Sequence, residues 1–239
     1  MRRHRGLFLG LGVLMAGLFG GQAHADHISL SVDLNGVVIF TATSVSPDDT
    51  VQASLVAVNT ALTAHGSAYQ FEGLSAQSNF TGSNDGILQT VFQLNTSGAG
   101  TTAAVLSIDT VQSGFLSPVG PGGTLVSTAG GSYVTASGSL SYTSNFQGAN
   151  SPTLVFPVSG TNAYSGTTGS IPIGTVPSGY ELSNHFLISL TKGPETFLGG
   201  TGGAIVTAVP EPASVALMLT GMAVAGVAVP RLRRNKAKA

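Results

Sequence analysis

The chain contains no cysteine, so thiolate ligands, thiol nucleophiles and disulfides are excluded and any chemistry must come from histidines, carboxylates and hydroxyls. Away from the two ends stand His27, His65 and His185, each isolated. None belongs to a His-x-His or His-Glu-x-x-His pattern, the spacings that set two imidazoles on one face to hold a metal. They read as solvated surface histidines, with Asp26 and His27 at most a loose metal pair. Acyl transfer needs a nucleophile on a sharp turn, and no Gly-x-Ser-x-Gly pentapeptide occurs. Gly199-Gly200-Thr201-Gly202-Gly203 has the glycine content of a phosphate loop but neither the following Lys nor a helix pattern. No catalytic, cofactor or metal site is expected.

Paired carboxylates would suit glycoside hydrolysis, which sets two acids roughly 5–10 Å apart. Asp33, Glu72, Asp85 and Asp109 are scattered over predicted strands and turns, and no spacing selects a pair. Asp48 and Asp49 suit a helix start, where the macrodipole favours anions. Asp33-Leu34-Asn35-Gly36 and Asn84-Asp85-Gly86 carry the oxygens of a calcium loop but fit turns at least as well. A sugar-binding platform would need flat exposed rings. The chain has no Trp, and its five tyrosines are Tyr69, Tyr133, Tyr142, Tyr164 and Tyr180; packing is the default role of a strand Tyr, and stacking on sugar is the alternative.

Only 8% of the residues are charged, far below the quarter usual in soluble domains, and Ser, Thr, Asn, Gln and 33 glycines take their place. Eight of the nine basic residues lie at the two ends, so the span Asp26–Val209 holds nine carboxylates against Lys192 alone. An anionic body repels nucleic acid, whose binding requires Lys and Arg on phosphates. This span is long enough for one domain with a core.

The elements that must position these residues are mostly strands. Ile28, Leu30 and Val32 alternate with polar residues, and Asn35-Gly36 predicts a hairpin turn into Val37–Thr43. Ser46-Pro47-Asp48-Asp49 has the form of a helix N-terminus, with Val51, Leu55, Val58 and Leu62 following at helical spacing and Gly66 as the stop, so a helix is predicted from about Pro47 to about His65. Further strands are predicted at Tyr69–Glu72, Ile87–Asn95, Ala103–Gln112, Thr124–Ser127, Tyr133–Phe146, Thr153–Val158, Tyr180–Thr191 and Ala204–Ala208. Turns are predicted at Gly82–Gly86, Pro121-Gly122-Gly123, Gly130-Gly131 and Lys192-Gly193-Pro194, and a long surface loop over Gly160–Gly179 whose hydroxyls could also accept O-glycans. The fold class that follows is mainly β, an antiparallel sandwich or jelly-roll-like body with one amphipathic helix.

Both ends carry export chemistry. Arg2, Arg3 and Arg5 precede the apolar run Gly6–Gly21, and Ala23-His24-Ala25 offers small residues at Ala23 and Ala25, the pattern of a signal peptide over residues 1–25 cleaved after Ala25. Ala213–Val229 is an uncharged 17-residue run, roughly 25 Å of helix and the short limit for a transmembrane span. Pro230 ends it, and Arg231, Arg233, Arg234, Lys236 and Lys238 form a basic anchor of the kind that stays cytoplasmic, leaving the body outside. Immediately before the run, Pro210, Glu211 and Pro212 keep the chain extended, as a membrane-surface protease needs.

Pro-Glu-Pro, an apolar helix and a terminal basic cluster, in that order over residues 209–239, resemble the PEP-CTERM sorting signal of Gram-negative bacteria. The resemblance implies export, transient anchoring in the inner membrane, and processing near Pro210–Pro212 by an exosortase, in envelopes associated with extracellular polysaccharide. Signal peptidase and an exosortase-like enzyme are then the expected partners, with polysaccharide a further one. For the body over residues 26–208 the first expectation is a non-catalytic surface or matrix protein. The second is a carbohydrate-binding module, and the third an extracellular hydrolase.

Overall fold

The computed structural model describes residues 27–44, 50–79, 85–96, 104–190 and 196–209. The predicted signal peptide with Ala23 and Ala25, the Pro210–Pro212 motif, the apolar run and the basic anchor lie outside these residues. Among the described residues no helix is long and apolar enough to cross a membrane.

The body is mainly β, as expected, and entirely antiparallel. In chain order the elements are β1 (Ser29–Leu34), β2 (Val37–Thr43), β3 (Thr50–Gln52), α1 (Leu55–Ala64), β4 (Tyr69–Ser78), β5 (Asp85–Thr96), β6 (Ala104–Phe115), β7 (Gly122–Phe146), β8 (Ala149–Asn150), β9 (Leu154–Ile173), β10 (Tyr180–Leu190) and β11 (Phe197–Val209). They are hydrogen-bonded in the order β2-β1-β6-β10-β7-β11-β5-β4-β3, with β8 and β9 also on β7.

This path folds over on itself because β7 serves both layers. Its segment Gly122–Val134 pairs with β11, and its segment Gly138–Phe146 pairs with β10. Between them the chain turns out of plane at Thr135 (φ 50°) and Gly138 (φ 141°). Any side chain at Gly138 would meet the Ser189 carbonyl and strain the backbone, so glycine is required at the bend. β9 follows β7 around it, with one register shift between Tyr133 and Ala136 and another between Val126 and Thr128. The result is sandwich-like: β2-β1-β6-β10 with one half of β7 face β11-β5-β4-β3 with the other half.

Period-two alternation in β1, β5, β10 and β11 sends Leu30, Val32, Leu88, Phe92, Phe186, Ile188, Leu198 and Val206 into the space between the layers. Phe92 of one layer meets Phe186 of the other edge-on at 5.0 Å, and Phe115 stacks on Tyr180 at 5.0 Å. A polar seam crosses the same space. Asn184 Nδ2 donates to the Leu88 carbonyl (3.0 Å) and to Thr90 Oγ1 (3.3 Å), Tyr142 donates to Asn184 Oδ1 (2.7 Å), and Thr90 bonds Thr110 (2.9 Å). Ser127 and Ser144 bond each other nearby. The Asn184–Leu88, Asn184–Thr90, Thr90–Thr110 and Ser127–Ser144 bonds cross from one layer to the other, so these buried polar groups are satisfied.

Three predicted features are corrected. The helix begins at Leu55, capped by Ser54, whose Oγ accepts from Ala57 N (3.4 Å). Thr50–Gln52 instead pairs with Ser75–Gln77 as β3, because Val51 buries more fully against β4 than an exposed helix turn would allow. Pro47, Asp48 and Asp49 lie outside the described residues. Gly66 (φ 71°) ends the helix as predicted. Gly130-Gly131 is no turn: Thr124–Ser127 and Tyr133–Phe146 are parts of one strand. The predicted loop over Gly160–Gly179 is strand as far as Ile173, held by pairing with β7.

Helix α1 lies against β2 and β4 and buries Val58 and Leu62. Its Asn59 side chain donates to the Phe71 carbonyl (2.9 Å) and accepts from Phe71 N (2.7 Å), filling the place of a neighbouring strand where β3 falls short.

Candidate functional site

The strand registers bring together titratable residues that no sequence spacing linked. Asp109 on β6 lies opposite His185 on β10 and Ser31 on β1, and Asp33 stands one row away beside Ser107. His185 Nδ1 is 2.5 Å from Asp109 Oδ1, and Ser107 Oγ donates to Asp109 Oδ2 (3.2 Å). The hydrogen bond that the imidazole donates to Asp109 holds its pKa above the ordinary value; burial opposes this, and the charges of Asp109 and Asp33 add to it. The order is serine, carboxylate, imidazole, with the carboxylate in the middle. A nucleophilic triad needs the imidazole between serine and carboxylate, so Ser107 has no base. Among the described residues no group of three His, Asp or Glu converges on a metal position.

The remaining predicted candidates disperse. His27 and His65 are exposed and separate. Asp33 Oδ1 accepts from Gly36 N (2.8 Å) and Asn35 Oδ1 from Val105 N (2.9 Å), so the calcium-like loop is a hairpin turn with Asn35 (φ 53°) and Gly36 (φ 84°). Glu72 accepts from Asn95 (3.2 Å), and Asp85 accepts from Thr207 (2.9 Å). A shallow depression beside α1, lined by Leu55, Asn59, Thr63 and Phe71, contains no titratable group.

None of the tyrosines forms an exposed platform. Tyr69, Tyr133, Tyr142 and Tyr180 are buried, and Tyr164 is half-buried with its hydroxyl on the Gly199 carbonyl (3.2 Å). Burial pushes the Tyr69, Tyr142, Tyr164 and Tyr180 hydroxyls above the ordinary phenol range.

The glycine-rich strand β11 separates two kinds of glycine, and the second kind marks a surface. Gly200 and Gly202 point inward. A Cβ at Gly202 would lie 2.5 Å from both Phe186 and Tyr142, and one at Gly200 would lie 2.6 Å from Phe92. The rings of the core rest on bare backbone there, so packing demands glycine. Gly199 and Gly203 alternate with them on the outer face. At Gly203 the nearest atom to an added Cβ is Thr128 Oγ1 at 3.5 Å, and at Gly199 the nearest is the Phe197 ring at 3.4 Å. Ordinary side chains would fit at both, and strand propensity would favour them.

The missing side chains leave a channel along β11 on the outer face of this layer. Its floor is Gly199, Thr201 and Gly203. Register places Gln89, the exposed Val91 and Gln93 of β5 along one side and Thr128, Gly130 and Ser132 of β7 along the other. The next row outward carries Gln77 and Thr167. Gln77 donates to Gln89 Oε1 (2.6 Å), and Gln89 donates to Thr201 Oγ1 (3.2 Å), which orients the amides across the floor. Phe197, half-buried, leans over Gly199 at one end. Amides and hydroxyls that both donate and accept, without charge, match the hydroxyls of an uncharged sugar chain. The sequence offers Gly199-Gly200-Thr201-Gly202-Gly203 only as a failed phosphate loop, with no sign of a channel. The alternation of inward and outward glycine shows only once the facing layer is known.

No family model matches the chain, and no curated protein matches it. Similar solved structures include the carbohydrate-binding module TmCBM61 in complex with beta-1,4-galactotriose (10% identity, TM-score 0.29, 58% of this chain and 88% of that one). Others are the CBM36-1 domain of a multidomain xylanase from the hindgut metagenome of Trinervitermes trinervoides (10%, 0.25, 48% and 95%) and a family 35 carbohydrate binding module from Clostridium thermocellum (10%, 0.23, 64% and 96%). At such TM-scores the likeness supports neither a shared fold nor a shared ligand.

Proposed function

We propose that this chain is an exported, non-catalytic protein whose body binds uncharged polysaccharide outside the cell through the channel along β11, and whose C-terminal tail is a PEP-CTERM-like sorting signal. The observation that carries the binding reading is the pair of outer glycines, Gly199 and Gly203, kept where the fold has room for side chains. A strand that omits two side chains on its solvent face, between neighbours rich in Gln, Thr and Ser, leaves low ground along which an extended sugar chain would lie. Ligand hydroxyls would meet orienting amides there, with Phe197 as an apolar stop.

Gly203→Thr tests the reading. The substitution fills the floor with a β-branched side chain, so thermal stability should hold or rise. Binding of neutral glucans, galactans or xylans in titration calorimetry should be lost. Equal binding by wild type and variant, or no neutral polysaccharide bound by wild type, would remove the proposal.

The sorting reading is supported by the order of its three elements in the sequence, Pro210–Pro212, the apolar run Ala213–Val229 and the basic cluster from Arg231 to Lys238. The purely structural role, in which the body scaffolds a matrix without a ligand of its own, is favoured by the bare edge of β9.

A further inference from the structure

Two edges of the sandwich are short and flanked by α1: β3 has three residues and β2 seven, and α1 packs against β2 and β4. The third edge is different. β9 runs for 20 residues, pairs only with β7, and faces no strand on its other side among the described residues. An edge of that length is a template for a further strand, and proteins that avoid this place Lys, Glu or Pro along it. β9 carries no charged residue, and its prolines, Pro157 and Pro172, stand near its ends, leaving Asn162–Ile171 open.

Charge identifies the occupant. Among the described residues there are five carboxylates and neither Lys nor Arg. Two copies approaching by most faces bring carboxylates together. From Thr110 to Tyr180 the chain holds no Asp, Glu, Lys, Arg or His, and β9 is the edge built from that stretch. A basic partner has nothing to grip on β9, whereas a second copy meets an edge of equal length, without repulsion and with hydroxyls on Ser165, Thr167 and Thr168. We infer that the body self-associates by antiparallel pairing of β9 with β9 of a second copy, extending both layers across the contact. This inference is independent of the ligand reading.

The absence of cysteine makes the test direct. In the full-length chain, the double variant Ser165→Cys/Thr167→Cys should form disulfide-linked dimers under mild oxidant, because a two-fold antiparallel pairing centred on this stretch sets one of these residues opposite itself or opposite the other. Val38→Cys, also exposed and on the β2 edge, should not. Light scattering of the full-length protein in detergent should show a dimer that disappears in both Ser165→Lys/Thr167→Lys and Ser165→Asp/Thr167→Asp. Like charges of either sign face each other across a two-fold pairing. Circular dichroism confirms that the variants fold. A monomeric wild type, a dimer unaffected by both pairs, or one weakened by only one sign of charge would overturn the inference. An unaffected dimer would place the contact in the tail, and a sign-dependent one would place it against a charged surface.

Discussion

His185 and Asp109 show what a single register pairing does to two residues 76 positions apart. Neither had a partner legible in the sequence, because only the antiparallel alignment of β6 and β10 sets them opposite. The groups that act on His185 are Asp109 and Thr143 opposite it and the charge of Asp33, and the protonated imidazole is favoured. Since its folded pKa lies above the unfolded value, the pair contributes stability below about pH 6.5 that is lost as pH rises through the folded pKa. Both side chains are more than a third exposed, so the contribution stays within the ~1 kcal/mol of a surface pair. The melting temperature of wild type should therefore fall, relative to Asp109→Asn, as pH is raised from 5.5 to 8. Parallel curves for the two proteins would show that the pair does not couple to folding.

At the level of elements, the legible features were those with local causes. Asn35-Gly36 formed its hairpin because a type I′ turn needs positive φ at two adjacent residues, and the alternation of β1, β5 and β10 follows from burial on one face. What the sequence concealed had causes elsewhere in the chain. The helix start was drawn to Ser46 and Pro47, whose local signature is stronger than that of Ser54, while pairing with β4 claims Thr50–Gln52. Gly130-Gly131 reads as a turn because a glycine's local meaning is freedom, whereas Gly200 and Gly202 are glycine so that rings from the facing layer can touch backbone. That difference is measurable. Gly202→Ala should lower stability by about 1–3 kcal/mol through overpacking, read as the denaturation midpoint, although alanine is otherwise the better strand residue. A neutral effect there would mean that Phe186 and Tyr142 have room to move aside.

For the whole molecule, the charge distribution and the order of the end segments predict two cuts. Mass spectrometry of the protein from its native envelope should find an N-terminus at Asp26 and a C-terminus near Pro210–Pro212, and an intact Arg-rich tail would contradict the sorting proposal. The final strand gives that arrangement a mechanical side. β11, the last element before residue 210, lies in the middle of its layer, aligned along Phe197–Val209 with β7 and along Phe197–Thr207 with β5. Under the sorting proposal, a force applied through the tail would load both ladders in shear, all rungs at once. Had the strand leading to residue 210 been an edge strand, the same force could have unzipped it rung by rung.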